Sequence, residues 1–190
     1  MIWSALVPLK PPGARKGRLA ERLSAQERER LSHHLFERTV ATLAAVPAIG
    51  PIHLLSADRP DGWAAGWFRD AGRGLNPELE AARAALGAEP LVVIHADLPL
   101  VAPADIAALL ARAEVQGMAI APDRHGEGTN AVALARAPGF RFAFGPGSYA
   151  RHRAQAGAGA RVDRAGLALD CDTPDDLDRA CAAGFRFPFP

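Results

Sequence analysis

The segment Leu91–Leu100, LVVIHADLPL, runs four apolar residues into His95, one small residue and the carboxylate of Asp97. A second apolar run, GLALDCD, ends on Asp170 and Asp172, which flank Cys171. In an extended segment residues two apart face the same side, so Asp170 and Asp172 converge while Cys171 turns away. Carboxylates gathered at neighbouring strand ends repel one another unless a cation sits among them. Hard oxygen ligands of this kind suit Mg2+, usually shared with substrate phosphates. The plainer alternative is that these residues only shape turns. Asp175 and Asp176 have that explanation, at the start of a helix. Asp170, closing an apolar run, does not.

Two other stretches can bind anions. KPPGARKGRL, residues 10–19, carries Lys10, Arg15, Lys16 and Arg18 on a Pro/Gly-rich loop between a strand and a helix. That composition suits either a polyphosphate site or a solvated basic loop. It is neither a Walker A loop nor a G-x-G-x-x-G turn. Further on, APDRHGEGTNAV offers Thr129 and Asn130 as donors. FAFGPGSYARH places Gly145 and Gly147 around a proline, with Ser148 capping a helix whose N–H groups can hold an anion. Each stretch could also be an ordinary turn. His125 and His152 invite an acid–base role, but a lone histidine is more often incidental, and no Ser-His-Asp or Cys-His set accompanies them.

These residues need elements to position them. Strands are expected at 2–9, 51–57, 90–96, 117–123, 129–135 and 166–172. Ser24 with Glu27 forms a capping box, and Leu31, Leu35, Phe36, Val40 and Leu43 follow at helical spacing. A short helix is expected in RPDGWAAGWFRDAG. The next helix takes Asn76 as its N-cap, Pro77 at its first position and Gly87 as its stop. Further helices begin near Pro103, at Ser148 (through about Gln155) and at Thr173-Pro174. Strands alternating with helices predict an open, mostly parallel sheet covered on both faces, with ligands beyond the carboxyl ends of its strands.

The chain has 190 residues, 49% hydrophobic and 23% charged, enough for one folded domain spanning 1–190. A net charge of +1 implies no broadly basic surface, which argues against nucleic-acid binding. The opening MIWSALVPLK is too short and lacks the basic region of a signal peptide. No run reaches the roughly 18 apolar residues that would span a membrane. A cytoplasmic protein is expected. Cys171 and Cys181 are read as core thiols, with no disulfide or zinc pattern.

VPLK with KGRL, GLN, ADLPL, APDRHGEGTN, FGPGS and LALDCDTPDDL stand in the order found in 2-phospho-L-lactate guanylyltransferases. That family includes enzymes acting on phosphoenolpyruvate or 3-phospho-D-glycerate in coenzyme F420 biosynthesis. The resemblance runs from Val7 to about Leu177. It implies a Rossmann-like, GT-A-like α/β nucleotidyltransferase, a three-layer sandwich around a mostly parallel sheet. It also implies transfer of GMP from GTP to a phosphorylated three-carbon acid, with release of pyrophosphate. A separate transferase would use the guanylylated product, and a homodimer is left open. By motif, Asp97, Asp170 and Asp172 match the magnesium carboxylates, and Thr129, Gly145 and Ser148 match positions that hold the acid. Asn130 stands beside Thr129 as a further donor. Lys10, Lys16 and Arg18 would neutralise the β- and γ-phosphates, and Gly74 and Asn76 would approach the nucleotide. Three positions depart from the family pattern: Gly17 for Ser or Thr, His95 for Pro or a small residue, and Pro77 after GLN. Rival readings are a molybdopterin or sugar-phosphate nucleotidyltransferase, a glycosyltransferase using DCD as its metal motif, and a non-catalytic GTP-binding regulator.

Overall fold

Ser24 accepts the N–H of Glu27 on its hydroxyl while the Glu27 carboxylate accepts the Ser24 N–H, and this capping box starts helix α1, Ala25–Ala44. The computed structural model describes residues 1–11, 16–87 and 90–186. Along α1, Leu31 and Leu35 are fully buried, each burial worth about 2 kcal/mol. Six strands form one sheet: β1 (Trp3–Pro8), β2 (Ile49–Ser56), β3 (Gly66–Arg69), β4 (Leu91–Ile94), β5 (Met118–Pro122) and β6 (Thr129–Leu134), in the order β3-β2-β1-β4-β6-β5. The ladders among β1 to β4 are parallel, and β6 runs antiparallel to both β4 and β5.

Both faces are covered. Val92 and Ile94 of β4 pack with Phe36 and Leu43 of α1 and with Ile106 and Leu109 of α3, Pro103–Gln116. Leu91 and Val93 point the other way. They pack with Leu79 of α2, Leu75–Ala85, and Tyr149 of α4, Ser148–Arg153. A short turn, α5 (Ala165–Ala168), and α6 (Pro174–Ala182) complete the chain. The expected three-layer α/β architecture is present.

Two expected elements differ. The segment expected as a short helix holds instead the edge strand β3, paired in parallel with β2. Trp67 packs against one core cluster and Phe68 against the other, the two-residue alternation of a strand. Gly66 has no side chain because a Cβ there would collide with the His53 ring.

Residues 166–172 do not form a strand. They begin in α5 and continue extended outside the sheet. Both edges of β4 are already taken, by β1 and β6, so this segment finds no ladder. Its carbonyls are satisfied instead by the Asn130 side chain, whose Nδ2 donates to Leu167 O (2.9 Å) and Ala168 O (3.2 Å). The Cys171 N–H donates to Asp97 O (3.0 Å), which fixes 170–172 against the exit of β4.

Smaller differences lie at helix starts. α2 is capped by Gly74 rather than Asn76, and α4 by Gly147 rather than Ser148. α4 ends at Arg153, and Cys181 is exposed while Cys171 is buried.

Candidate active site

The chain order changes direction between β1 and β4: β2 and β3 build outward on one side of β1, and β4 lies on the other. Open α/β sheets bind ligands outside the strand ends at such a switch point. A cavity of about 460 Å³ opens there, within the usual range of small-molecule sites. β1 delivers Pro8, Leu9 and Lys10 to it, and β4 delivers His95, Ala96 and Asp97. Because β6 is antiparallel, its first residues, Thr129 and Asn130, lie beside the exit of β4, and the His95 N–H donates to Asn130 O (3.0 Å).

The three carboxylates picked out above share this cavity. Lys16 holds two of them: its Nζ lies 2.9 Å from Asp97 Oδ2 and 2.9 Å from Asp172 Oδ1, with only 5% of its side chain exposed. Burial opposes the charge on Lys16, but Asp97 and Asp172 outweigh it and keep the ammonium protonated. Burial likewise opposes ionisation of Asp97, yet Lys16, with His95 second, brings its carboxyl down to about 2. Asp170 has no such partner among the described residues. Burial first, then the neighbouring Asp97 and Asp172, push it up to about 6.

Those observations bear on a divalent cation. Asp97 Oδ1 is buried and accepts no hydrogen bond from the described residues. Of the described ionisable residues lining the cavity, five are carboxylates (Asp70, Asp97, Asp123, Asp170, Asp172), two are ammonium groups (Lys10, Lys16) and one is an imidazole (His95). Among the described residues no His, Cys, Asp or Glu set is drawn in as a finished ligand cage; the Lys16 ammonium stands between two of the carboxylates. The donors nevertheless fit a hard divalent cation: an orphaned carboxylate oxygen, and a third carboxyl that its surroundings resist ionising.

Supporting residues explain the flanking motifs. In APDRHGEGTN, Asp123 accepts the N–H groups of His125, Glu127 and Gly128 at 2.8–3.1 Å, folding the loop that leads into Thr129. Arg124 donates to Asp175 and Asp176 at the start of α6, and Asp176 accepts the N–H of Asp172 (3.2 Å) and Thr173 (2.8 Å). DTPDD is therefore a cap that sets Asp172. Gly166 lets α5 approach the start of α3 closely, since a Cβ there would meet Asp105 and, at 2.7 Å, the Leu100 carbonyl.

Thr129, Phe144, Gly145 and Ser148 also line the cavity. Gly145 is left-handed (φ 116°), a conformation that favours glycine. The free helix N–H groups expected at Ser148 are partly spent: Ser148 N–H donates to Gly145 O and Tyr149 N–H to Glu127 O, each at 3.0 Å. Thr129 Oγ1 lies 3.0 Å from His152 Nδ1. Burial, with Arg151 and His95 behind it, brings His152 down to about 4, so its ring is neutral.

Not every candidate reaches the cavity. The Asn76 amide is engaged with the Phe144 backbone, accepting its N–H (2.7 Å) and donating to its carbonyl (3.1 Å). Neither Gly74 nor Asn76 lines the cavity, whereas Leu75 between them does. Arg18 is exposed on the 3₁₀ turn Gly17–Leu19, away from the lining. Asn130 lines the cavity, but its amide is committed to Leu167 and Ala168. Arg15 and the tail after Arg186 lie outside the described residues. The residues that sequence reasoning passed over are Ser32, His95 and His152. Ser32 Oγ and His95 Nε2 are buried without hydrogen-bond partners among the described residues, and both residues line the cavity. Ser32 had one visible signal, a hydroxyl beside Leu31 on the apolar face of α1.

The fold that carries this cavity is shared with solved nucleotidyltransferases. A solved nucleotidyl transferase from Methanothermobacter superposes with a TM-score of 0.59 at 15% identity, covering 96% of this chain and 99% of its own. The family described as "Guanylyl transferase CofC like" matches residues 3–184. The chain is 41% identical to a phosphoenolpyruvate guanylyltransferase of Sphaerobacter thermophilus, over 94% of this chain and 92% of that one. It is 40% identical to a protein of the same name from Rubrobacter xylanophilus, over 95% and 94% of the two chains. The chain belongs to the CofC-like guanylyltransferase family and is an enzyme of the nucleotidyltransferase class.

Proposed function

We propose that this cavity transfers GMP from GTP to the phosphate of a phosphorylated three-carbon acid, releasing pyrophosphate, in coenzyme F420 biosynthesis. Phosphoenolpyruvate stands first among the acceptors because the relatives at about 40% identity carry that name; 2-phospho-L-lactate and 3-phospho-D-glycerate share its chemistry. The observation that carries the reading is the presence of two unlike groups of residues in one cavity. Asp97, Asp170 and Asp172 line it together with Thr129, Gly145 and Ser148.

The reaction asks little of acids and bases. The acceptor phosphate is already an anion, and one of its oxygens attacks the α-phosphorus as the bond to the leaving pyrophosphate breaks. The barrier lies in bringing anions together, so positioning and electrostatics dominate. Asp97, Asp170 and Asp172 are the residues that would hold Mg2+, which when bound screens the triphosphate and the developing charge on pyrophosphate. Lys16 is buried beside them, and once its carboxylates have another counter-ion it can turn to the β- and γ-phosphates. Lys10 lines the same rim. Thr129 and the Gly145–Ser148 turn hold the acceptor in line. No group with the reach or pKa of a general base is required, consistent with a neutral His152.

The test is product identity. Purified protein is incubated with GTP, Mg2+ and each acid in turn, coupled to the downstream transferase. Mass spectrometry should find the guanylylated acid with phosphoenolpyruvate and not with the unphosphorylated acids. Guanylylation of a sugar phosphate or a pterin in place of all three acids would overturn the reading.

A further inference from the structure

His152 is fully buried on α4 and touches no solvent. Its ring is wedged between Phe140 and Phe144, with centroids at 5.4 and 4.8 Å, so it cannot turn. Both ring nitrogens are engaged. Nε2 lies 2.9 Å from the backbone nitrogen of Ala143, and Nδ1 lies 3.0 Å from Thr129 Oγ1. The two contacts together fix the proton. A backbone N–H can only donate, so Nε2 must accept. A neutral imidazole then carries its hydrogen on Nδ1, and Nδ1–H donates to the Thr129 oxygen.

The consequence falls on Thr129. Its hydroxyl now accepts from His152 and retains one hydrogen to donate. Thr129 is 2% exposed and lines the cavity, and among the described residues no acceptor takes that hydrogen. A hydroxyl that could rotate between donor and acceptor is thereby locked as a donor facing the ligand. A locked donor favours an anionic oxygen and disfavours another donor.

We propose that His152 is a positioning residue: through its Nδ1–H it fixes the Thr129 hydroxyl as a hydrogen-bond donor to an anionic oxygen of the phosphorylated acceptor. This rests on the reading that Thr129 faces the acid. The ring itself touches neither substrate and moves no proton in the reaction. Ala143, whose N–H sets the tautomer, is held in turn by the Arg151 guanidinium, which donates to its carbonyl at 2.8 Å.

Two substitutions separate positioning from packing. The Asn amide nitrogen falls where Nδ1 was, so His152→Asn keeps the donor to Thr129 and loses the Ala143 contact. The Gln carbonyl reaches where Nε2 was, so His152→Gln keeps the Ala143 contact and loses the donor to Thr129. Steady-state kinetics with GTP and phosphoenolpyruvate should show His152→Gln raising the acceptor KM by about tenfold or more, with the GTP KM little changed. His152→Asn should fall well short of that loss. In a Thr129→Val background, which lacks the hydroxyl, His152→Gln should add almost nothing. Equal losses in the Asn and Gln variants, or a full additional loss on top of Thr129→Val, would assign His152 to packing alone. Folding of each variant is checked by its thermal midpoint. If Thr129→Val itself leaves the acceptor KM unchanged, it is the placement of the acid that fails, and the two failures are told apart.

Discussion

Two groups of residues lining the cavity are built on opposite plans. Around Thr129 the polar groups are matched within the protein, save the one hydrogen that the Thr129 hydroxyl keeps to donate. Thr129 is set by His152, His152 by Ala143, and the Phe144 backbone by Asn76. Around Asp97, charge is left over. Among the described residues Asp97 Oδ1 has no hydrogen-bond partner, Asp170 resists ionisation, and one buried lysine serves two carboxylates. Lys16 also adopts a left-handed backbone (φ 54°), a strain of about 1 kcal/mol for a residue with a Cβ. On the proposed function, the matched group around Thr129 would receive the small acceptor, and the carboxylates around Asp97 would receive the triphosphate together with its cations.

That contrast can be broken most severely at Asp97. Asp97→Asn removes the charge that both Lys16 and a divalent ion need, and should lower turnover by about a thousandfold or more with the thermal midpoint close to wild type. Near-normal Mg2+-dependent pyrophosphate release from this variant would detach Asp97 from the metal.

Lys16→Met tests the same group from the other side. It should raise the GTP concentration needed for half-maximal rate by about tenfold or more, because a buried ammonium close to the phosphates is lost. It should also tighten binding of Mn2+ to the nucleotide-free protein in a calorimetric titration, since the ammonium no longer competes for Asp97 and Asp172. An unchanged GTP dependence would remove Lys16 from the phosphate site.

The smallest effect belongs to the group around Thr129. His152 stands at about 4 in the folded chain against 6.5 in an exposed histidine, through burial and the nearby Arg151 and His95. Between those values unfolding takes up a proton, so this group's contribution to stability is present above pH 6.5 and is lost as pH falls toward 4. The thermal midpoint of the wild type should therefore drop more steeply over that window than that of His152→Gln. Parallel curves would contradict a buried neutral ring.

How much of this was legible in the sequence depended on the range of the interaction concerned. The Ser24–Glu27 capping box, the apolar stripe of α1 and the run into Asp97 are local patterns, and they appear where the spacing puts them. The Asp170–Asp172 convergence was also legible, because alternation in an extended chain does not require a sheet. That 166–172 is not a strand was not legible, since it follows from β1 and β6 already occupying both edges of β4. Segment 59–72 misled because its two tryptophans and small residues suit helix and strand alike, and only pairing with β2 decides. Lys16 was expected at the phosphates, and its contact with Asp97 and Asp172, across 81 and 156 positions, has no trace in local spacing. His152 looked like a lone histidine because its partners, Thr129 and Ala143, come from two other segments.

On the proposed function, a divalent cation completes the carboxylate group for guanylyl transfer to a phosphorylated acid. Pyrophosphate release from GTP by the wild-type protein, with phosphoenolpyruvate and Mg2+ each present or withheld, tests this without any substitution. Sustained release is expected only when both are present, with arrest on adding a chelator. Sustained release without the acid, or undiminished release in excess chelator, would contradict it.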